Sequence, residues 1–448
     1  MRPGPAGHGR IMASSGILAR CEQRTVETRG DRNGLGAVAI FGLVYLLILA
    51  EENSPRKLDR PSAALLGAVL MVLTGILTRA EALAAIDFAT LSLLFGMMVV
   101  IHHVAESGLL DRLAFLMVGR SGNGRQMLWL VCAAAGILSA LFVNDTVCLF
   151  MTPLVLAAVR RSGYPAEPYL LALATSSNVG SVMTLTGNPQ NMLIGQSSGW
   201  SWAGFALRMI PLGLICLAVN TVIVDRLYRR ELRAIPATQA TNPVASPPAV
   251  NRRLAAKSVL VLVALLIAFL CGAPMDVAAL SAAVAIIVLA NRPPSEAFRA
   301  VDWSLLLFFA GLFVVVHGVT KVEGEWIGRL IPAMTRHTGS PRELAGFSAA
   351  SVLGSNLFSN VPFVMLMRTW LVHLPRAPLL WLALAASSTF AGNLTLVGSV
   401  ANLIVAQRAK DECPLSFWSF LRVGVASTAA TVAASVLILW VYGVLHWA

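Results

Sequence analysis

Amide, hydroxyl and carboxyl side chains are concentrated in four short stretches within the most apolar parts of the chain. These stretches are FVNDT at 142–146, TLTGNPQN at 184–191, FSNV at 358–361 and NLTLVGSVAN at 393–402. Oxygens of such side chains, together with backbone carbonyls freed from a helix, coordinate Na⁺ and hydrogen-bond small polar solutes. We therefore predict a substrate or ion site formed by Asn144, Asp145, Thr146, Thr184, Thr186, Gly187, Asn188, Asn191, Ser359, Asn360, Asn393, Thr395, Gly398, Ser399 and Asn402.

Two of these stretches are expected to interrupt a helix. Gly187 and Pro189 are helix breakers inside one apolar run, and Gly398 occupies the matching place in another. An interrupted backbone is tolerated at membrane depth only where protein groups or a water-filled cavity bond the freed amides and carbonyls. Half-helix N-termini attract anions and freed carbonyls attract cations. The candidate positions for Na⁺ are Asn144, Gly187, Asn360 and Gly398.

Charge inside the four stretches is limited to one carboxyl group. Asp145 is their only acidic residue, and none of them contains Lys or Arg. A carboxyl group at membrane depth is expected to be functional, with a salt bridge to a buried base as the alternative. An anionic substrate would be held by helix ends, hydroxyls, amides and any bound cation. Asp145 is therefore our candidate for coupling transport to H⁺ or another cation.

Several of these polar residues also have a structural interpretation. The small residues of TSSNVGS at 175–181 and ASSTFAGN at 386–393 are typical of close helix packing. The asparagines could bond backbone groups without touching a substrate. Asp87 and Asp302 begin apolar segments, and we predict that they are helix caps.

The composition of the chain is that of a polytopic membrane protein. Of its 448 residues, 57% are hydrophobic and only 12% are charged, about half the charged share of a soluble domain. Apolar stretches long enough to cross ~30 Å of hydrocarbon recur from residue 34 to the C-terminus. Most arginines behind the net charge of +12 lie in short loops, which indicates an orientation bias towards the cytoplasm and not nucleic-acid binding.

The motifs do not favour a metalloprotein or an enzyme. The six cysteines are scattered and lack metal-type spacing, so neither a disulfide framework nor a zinc site is predicted. No stretch combines a nucleophile, a base and an orienting group. We therefore expect no enzyme activity and no cofactor, only a coupling ion that is Na⁺ or H⁺.

The two halves of the chain are similar to each other. IDFATLSLLFGMMVVIHHV at 86–104 aligns without gaps on VDWSLLLFFAGLFVVVHGV at 301–319, LFVNDTV at 141–147 on LFSNVPF at 357–363, and TLTGNPQNMLI at 184–194 on TLVGSVANLIV at 395–405. The three pairs keep the same order and nearly the same separation, which indicates an internal repeat. We predict a disordered leader at 1–33, a first membrane repeat at 34–224, a cytoplasmic linker at 225–256 and a second membrane repeat at 257–448.

Two apolar segments fit a re-entrant hairpin better than a simple crossing. Residues 127–160 would form a helix of ~50 Å, which is too long for one crossing and too short for two, and 343–373 is the counterpart. Counting each hairpin as entering and leaving on one side leaves five crossings per half, and an odd number makes the repeats inverted. The expected fold class is an all-α polytopic membrane protein with inverted repeats of five transmembrane helices, each with a re-entrant hairpin and a discontinuous helix. A cytoplasmic linker then places most arginine-bearing loops inside, with the leader and 321–342 as exceptions.

The motifs resemble those of the ion transporter superfamily, which includes divalent anion/sodium symporters, citrate-transporter-like permeases and arsenical pump membrane proteins. FVNDTVCLFMTPLVL, SSNVGSVMTLTGNPQN, NLFSNVPFV and GNLTLVGSVANLIV are similar to its four signature regions. The resemblance covers most of 34–446. GNPQN after SSNVGS is typical of the arsenical-pump and anion-permease branch.

The resemblance implies a mechanism and a set of partners. In symporters of this superfamily, two Ser-Asn-Thr hairpin tips and two unwound helices hold sodium and a carboxylate, in a homodimer whose transport domain moves by an elevator-type shift. Here the tips are Asn144-Asp145-Thr146 and Ser359-Asn360-Val361, and both depart from Ser-Asn-Thr. The departures argue against a dicarboxylate contact, and Asp145 favours coupling to a proton or cation.

The sequence predicts a secondary active transporter of the plasma membrane that moves a small anion, coupled to H⁺ or Na⁺. The anion is an inorganic oxyanion, an arsenite-like species or a carboxylate. A Na⁺/H⁺ antiporter of the same superfamily is the main alternative, and a passive anion channel is a further one. Concentrative transport that an uncoupler abolishes separates the transporter from the channel.

Overall fold

The protein is built from helices joined by short loops. The computed structural model describes residues 34–48, 59–118, 123–233, 248–334, 340–372, 374 and 377–447, and none of these residues lies in a strand. The helices are Gly34–Ile48, Arg60–Leu73, Arg79–Ala85, Phe88–Glu106, Leu109–Val118, Gly124–Leu141, Asn144–Ser162, Ala166–Ser181, Pro189–Ser197, Trp202–Leu227, Arg229–Arg233, Arg252–Leu270, Met275–Ala290, Pro294–Ala300, Trp303–Met334, Pro341–Phe358, Asn360–Leu371, Ala377–Ala391, Val400–Ala409 and Phe417–Val444.

Many of these helices have the length and composition of membrane spans. In the described part of the chain, six helices are long and apolar enough to cross a bilayer: Phe88–Glu106, Gly124–Leu141, Trp202–Leu227, Arg252–Leu270, the stretch Trp303–Val322 and Phe417–Val444. Four shorter helices are also apolar. The chain is therefore a multi-pass membrane protein, as its composition predicts. The predicted leader at 1–33 and linker residues 234–247 lie outside the described residues.

Both predicted hairpins are pairs of helices joined by a connection of one or two non-helical residues. The first hairpin consists of Gly124–Leu141 and Asn144–Ser162, and the second consists of Pro341–Phe358 and Asn360–Leu371. The two arms of each hairpin pack against each other. Asn144 and Asn360 each begin a second arm, which is where the sequence places the hairpin tips. The side from which each hairpin enters the membrane, and the inversion of the repeats, stay predictions.

Both predicted helix interruptions are present. Ala166–Ser181 is followed by seven non-helical residues, 182–188, before Pro189–Ser197 begins; we call 182–188 the first break. Ala377–Ala391 and Val400–Ala409 are separated by residues 392–399, the second break, which contains only a short 3₁₀ turn. Each discontinuous helix thus exposes two helix ends and a run of backbone groups that the surrounding protein must bond.

Side-chain caps explain where several helices begin. Asn188, Ser201 and Ser340 each accept a hydrogen bond from the backbone N–H three residues later, at 2.8, 3.0 and 3.2 Å. Asp302 caps Trp303–Met334 in the same way, with the Leu305 N–H 2.9 Å from Oδ1. The capping role predicted for Asp302 is confirmed.

The chain divides into two compact units. The first unit comprises Met1–Asp87 and Leu307–Arg329, of which 34–48, 59–87 and 307–329 are described. The second unit comprises Phe88–Leu306 and Leu330–Ala448, and it holds both hairpins and both breaks. Each unit contains elements from both halves of the sequence. The predicted domain boundaries rest on sequence similarity and remain predictions.

The same glycine contact occurs once within each unit. In the second unit, a Cβ on Gly96 would lie 2.5 Å from the carbonyl carbon of Ala279. In the first unit, a Cβ on Gly311 would lie 2.8 Å from the carbonyl carbon of Ala64. Gly96 aligns with Gly311, and the same alignment extended backwards without a gap pairs Ala64 with Ala279. In each unit, a helix from one half of the sequence therefore contacts a helix from the other half, and the repeat alignment makes the two contacts equivalent.

Candidate functional site

The polar stretches meet in one cluster of the second unit, centred on Asn178. This residue lies in Ala166–Ser181 and is 2% exposed. Its Oδ1 accepts hydrogen bonds from Asn144 Nδ2 at 2.9 Å and Ser399 Oγ at 3.0 Å. Its Nδ2 donates to Asn393 Oδ1 at 2.8 Å and Asn402 Oδ1 at 3.0 Å. One amide thus joins the first hairpin tip to the second break and uses all four of its hydrogen-bonding positions.

The first hairpin tip is anchored to the first break by backbone and side chain. The N–H of Asn144 donates to the Gly187 carbonyl at 3.1 Å. Asn144 Nδ2 is bound to Asn178, whereas Asn144 Oδ1 is buried and has no hydrogen-bond partner among the described residues. A buried oxygen without a partner is costly unless a ligand, ion or water bonds it. The tip therefore offers one free acceptor.

Asn191 stabilises the first break by bonding its freed carbonyls. Its Nδ2 donates to the Thr184 carbonyl at 2.9 Å and to the Ser181 carbonyl at 3.3 Å. Its N–H donates to Asn188 Oδ1, which caps the short helix that follows the break. Asn191 Nδ2 therefore bonds the protein, whereas the Oδ1 of the same side chain is buried without a partner in the described part of the chain.

Asn402 stabilises the second break in the same way, by bonding its freed carbonyls. Its Nδ2 donates to the carbonyls of Gly392 at 2.7 Å and Thr395 at 3.1 Å. Asn393 Nδ2 donates to the Thr175 carbonyl at 3.1 Å. Asn191 and Asn402 are aligned in the repeat, so the same amide braces both interruptions.

Two equivalent hydrogen bonds join the two halves across the cluster. The repeat alignment pairs Asn178 with Thr389 and Asn188 with Ser399. Asn178 accepts from Ser399, and Thr389 Oγ1 accepts from Asn188 Nδ2 at 3.2 Å. Gln190 Nε2 also donates to Thr389 at 3.3 Å. Asn188 and Gln190 therefore brace the first break against the second half.

The second hairpin tip lies against the second break. Ser359 has φ +68° and ψ 155°, and Asn360 begins the following helix. A Cβ on Gly392 would lie 3.0 Å from Asn360 Nδ2, which places that amide next to the break. Asn360 is 8% exposed, and its Oδ1 has no partner among the described residues. The second tip thus offers the same free acceptor as the first.

Asp145 follows the first tip and is partly exposed, as is Thr146. Within the part of the chain that the structure describes, Asp145 makes no hydrogen bond and no ion pair. The salt bridge to a buried base, which was the alternative interpretation of this carboxyl group, is not formed there. Asp145 thus adds acceptor oxygens beside Asn144.

The remaining predicted site residues of the first break bond the protein. Thr184 Oγ1 donates to the Ala140 carbonyl at 2.6 Å. Thr186 Oγ1 accepts from Trp202 Nε1 at 3.5 Å. A Cβ on Gly187 would lie 2.1 Å from the Ser181 carbonyl oxygen, so only glycine fits. These three residues shape the break.

The second glycine is less tightly enclosed. A Cβ on Gly398 would lie 3.0 Å from the Gly392 carbonyl oxygen and 3.1 Å from Thr395 Oγ1. Thr395 also contributes its backbone carbonyl, which accepts from Asn402. A methyl group at Gly398 would therefore require its neighbours to move by only a few tenths of an ångström, which is less than at Gly187.

Sequence reasoning missed the residue at the centre of the cluster. Asn178 lies in TSSNVGS, where the small residues favour a packing interpretation, and Thr389 lies in the matching stretch ASSTFAGN. An asparagine in a membrane-buried helix three residues before a break was the available signal, because its amide must find partners there.

Three predicted site residues leave a buried amide oxygen without a hydrogen-bond partner among the described residues. The amide oxygens of Asn144, Asn191 and Asn360 are unpartnered in the described residues, while the corresponding amide nitrogens of Asn144 and Asn191 are bonded to protein. No Lys or Arg occurs in the four stretches. Such an arrangement suits a ligand that donates hydrogen bonds or a cation.

Comparison with known proteins agrees with a transporter. The chain is 31% identical to the silicon efflux transporter LSI3 of Oryza sativa subsp. japonica, over 90% of this chain and 96% of that protein. It is 24% identical to the putative transporter arsB of Dictyostelium discoideum, over 90% and 92% of the two chains. It is 30% identical to a 46 kDa membrane protein of Mycobacterium leprae, over 90% and 97%.

Fold and family comparisons agree with these relatives. The structure of the Alcanivorax borkumensis YdaH transporter superposes with a TM-score of 0.55 at 17% sequence identity, covering 92% of this chain and 99% of the other. This likeness shows a shared fold, in line with the superfamily resemblance of the motifs. A family model described as "Citrate transporter" matches residues 45–381. The chain belongs to the citrate transporter family.

Proposed function

We propose that the protein is a secondary active transporter of the plasma membrane that moves a small inorganic oxyacid or its oxyanion and couples this movement to H⁺. The observation that carries the proposal is the polar cluster itself. Two hairpin tips and two helix breaks converge there, and the amide oxygens of Asn144 and Asn360 are left unpartnered in the described residues. Relatives named as a silicon efflux transporter and a putative arsB transporter support a metalloid oxyacid.

The chemistry of the four stretches argues against citrate as the substrate. A tricarboxylate needs several cationic or donor groups, because its desolvated negative charges must be paired. The four stretches contain no Lys or Arg, and the unpartnered amide oxygen of Asn144 cannot donate to a carboxylate. An oxyacid that keeps its protons donates hydrogen bonds to such oxygens.

Asp145 is the proposed coupling residue. It is the only acid in the four stretches, and it has no hydrogen-bond or ion-pair partner in the described part of the chain. An unpaired carboxyl group next to a substrate site can take up and release a proton as its surroundings change. Na⁺, the other candidate, would need Asn144 and Asn360 oxygens as ligands.

Transport in proteoliposomes tests the proposal. Purified full-length protein should accumulate arsenous or silicic acid when a proton gradient is imposed, and an uncoupler should abolish the accumulation. Asp145→Asn is expected to lower concentrative transport by at least about tenfold while equilibrative exchange of substrate persists, because the carboxamide cannot carry the proton.

The controls separate the alternatives. An unchanged melting temperature shows that Asp145→Asn is folded, and citrate serves as the compound that should not be concentrated. Transport driven equally well by a Na⁺ gradient without a proton gradient would replace H⁺ as the coupling ion. Full concentrative transport by Asp145→Asn would remove Asp145 from the mechanism.

We also propose that the transporter works as a homodimer. The superfamily resemblance and the family match at 45–381 support this assembly. Light scattering on the purified protein should give the mass of two chains after subtraction of detergent, and a single-chain mass would contradict the proposal.

A further inference from the structure

Backbone carbonyls of the second break set the polarity of the amide network. A carbonyl oxygen can only accept a hydrogen bond, so the group that faces it must be a donor. Asn402 has the carbonyls of Gly392 and Thr395 within 2.7 and 3.1 Å of one end of its amide. That end must be Nδ2, and the opposite end, which faces Asn178, must be Oδ1.

Asn393 imposes the same polarity. The Thr175 carbonyl lies 3.1 Å from one end of its amide, which must therefore be Nδ2, and Oδ1 faces Asn178 at 2.8 Å. Two acceptors thus converge on one end of the Asn178 amide. Only the nitrogen of Asn178 can satisfy both, and a rotation of this amide by 180° would place oxygen against oxygen.

The orientation of Asn178 determines the orientation of the first hairpin tip. With Nδ2 committed to Asn393 and Asn402, Asn178 presents Oδ1 to Asn144, whose nearest amide atom must be the donor Nδ2 at 2.9 Å. Asn144 Oδ1 is then the atom left without a protein partner in the described residues, on a side chain that is 5% exposed. Ser399 donates its hydroxyl to the same Asn178 oxygen at 3.0 Å and reinforces this direction.

We propose that Asn178 is a positioning residue that locks the Asn144 carboxamide with its oxygen towards the substrate, so that the first tip accepts a hydrogen bond from a protonated hydroxyl of the oxyacid. The inference rests on the proposed function and names the residue that sets the selectivity of its site. The chain of bonds runs from the second break, through Asn178, to the first hairpin.

Thr389, at the position equivalent to Asn178, does not impose this constraint. Its hydroxyl accepts from Asn188 and Gln190, and a hydroxyl rotates to suit its neighbours. The fixed polarity is therefore a property of the first tip, and a threonine at 178 would remove it.

Three substitutions at 178 and one matched control test the proposal. Asn178→Leu keeps the branched shape of the side chain but removes the hydrogen bonds that join the second break to Asn144, which frees the Asn144 amide to turn its nitrogen towards the substrate. Asn178→Asp keeps an acceptor for Asn144 and Ser399, so the tip keeps its orientation; the acceptor oxygens of Asn393 and Asn402 hold the other carboxyl oxygen protonated, so that it donates to one of them. Asn178→Thr installs the side chain found at 389, and it takes the place of Asn178→Leu if that variant does not fold.

Asn220→Leu is the matched control. Asn220 is 0% exposed in the same unit and makes three amide hydrogen bonds, to Thr175, Ser176 and Ser427, at 3.1, 3.0 and 2.5 Å. None of these bonds reaches the tip. The variant therefore loses a comparable buried amide but keeps the hydrogen bonds that join the second break, through Asn178, to Asn144.

The measurement is the ratio of transport of arsenous acid, which is uncharged near neutral pH, to transport of inorganic phosphate, which is an anion. Full-length variants in proteoliposomes are compared under one proton gradient. We expect the wild type, Asn178→Asp and Asn220→Leu to prefer arsenous acid, and Asn178→Leu and Asn178→Thr to lose about tenfold of that preference, the size of one hydrogen bond.

Each result has one meaning. An unchanged ratio in Asn178→Leu or Asn178→Thr overturns the positioning role, as does an equal loss in Asn220→Leu. A wild-type preference for phosphate overturns this inference and leaves a coupled transporter in place. Failure to move either probe under any ion gradient overturns the proposed function as well.

Discussion

Ser359, at the second hairpin tip, has a backbone conformation that residues other than glycine rarely adopt. Its φ of +68° and ψ of 155° fall in a region that costs a side-chain-bearing residue about 1–3 kcal/mol. Strain of this kind persists only where the surrounding structure imposes it. Because of this conformation, Ser359 alone separates the end of Pro341–Phe358 from the start of Asn360–Leu371.

Replacement of Ser359 separates the backbone from the hydroxyl. Ser359→Gly should raise the free energy of unfolding by about 1 kcal/mol, because glycine adopts positive φ without strain. Ser359→Ala keeps the strain and should give no such gain. Thermal melting in detergent compares the two variants, and a glycine variant that melts no higher than the alanine variant would contradict the assignment of strain.

At the residue scale, the sequence predicts which residues are polar and where the chain turns, but not which atoms stay free. Asn144 and Asn191 both lie in the predicted site, yet Asn191 Nδ2 bonds backbone carbonyls at 181, 182 and 184 while Asn144 Nδ2 bonds another side chain. The partner of Asn144 lies 34 residues further along the chain, so spacing alone cannot assign it. Asn178 escaped prediction for the same reason, since its partners at 393, 399 and 402 belong to the other half.

At the scale of elements, the two breaks perform the same task with different tolerance. The first break packs Gly187 on the Ser181 carbonyl, and its short helix starts at Pro189 with the Asn188 cap. The second break has no proline, contains a 3₁₀ turn and leaves more room at Gly398. The sequence predicts both interruptions because glycine and an asparagine recur at matching positions, but it does not predict that only the first is rigidly enclosed.

The two glycines should therefore respond differently to a methyl group. Gly187→Ala places Cβ 2.1 Å from a backbone oxygen, and we expect a loss of about 3 kcal/mol or failure to fold. Gly398→Ala meets its neighbours at 3.0 Å and should cost about 1 kcal/mol. The yield of monodisperse protein and its melting temperature report both effects, and equal sensitivity of the two sites would show that the breaks are equally rigid.

At the scale of the whole molecule, helices from the two halves of the sequence pack against each other within each compact unit. Gly96 packs on Ala279 within one unit and Gly311 packs on Ala64 within the other, so each contact joins the two halves of the sequence. The internal similarity predicts that the halves have equivalent helices. It does not predict which helices of the two halves contact each other, because an alignment shows which segments are similar and not which segments pack together.

The reciprocal glycine contacts should make equivalent contributions to stability. Gly96→Ala and Gly311→Ala each force a Cβ against backbone and should each cost about 1–3 kcal/mol, with similar values for the two. Gly346→Ala is the control, since no atom lies within 4 Å of a Cβ there, and alanine should stabilise its helix by about 0.5–1 kcal/mol. Melting temperatures of the three variants test the equivalence, and a neutral effect at only one of the two contacts would refute it.

The bonds between Asn178 and the second break have a consequence for biosynthesis. A ribosome makes Asn178 more than 200 residues before Asn402, so the nascent first half enters the membrane with its central amide unable to reach three of its final partners. Until the last helices arrive, water or a membrane insertase must bond these polar groups, because lipid cannot. The cluster is therefore completed only after the second half has been made, and a chain truncated before residue 393 leaves Asn178 without three of its four side-chain partners.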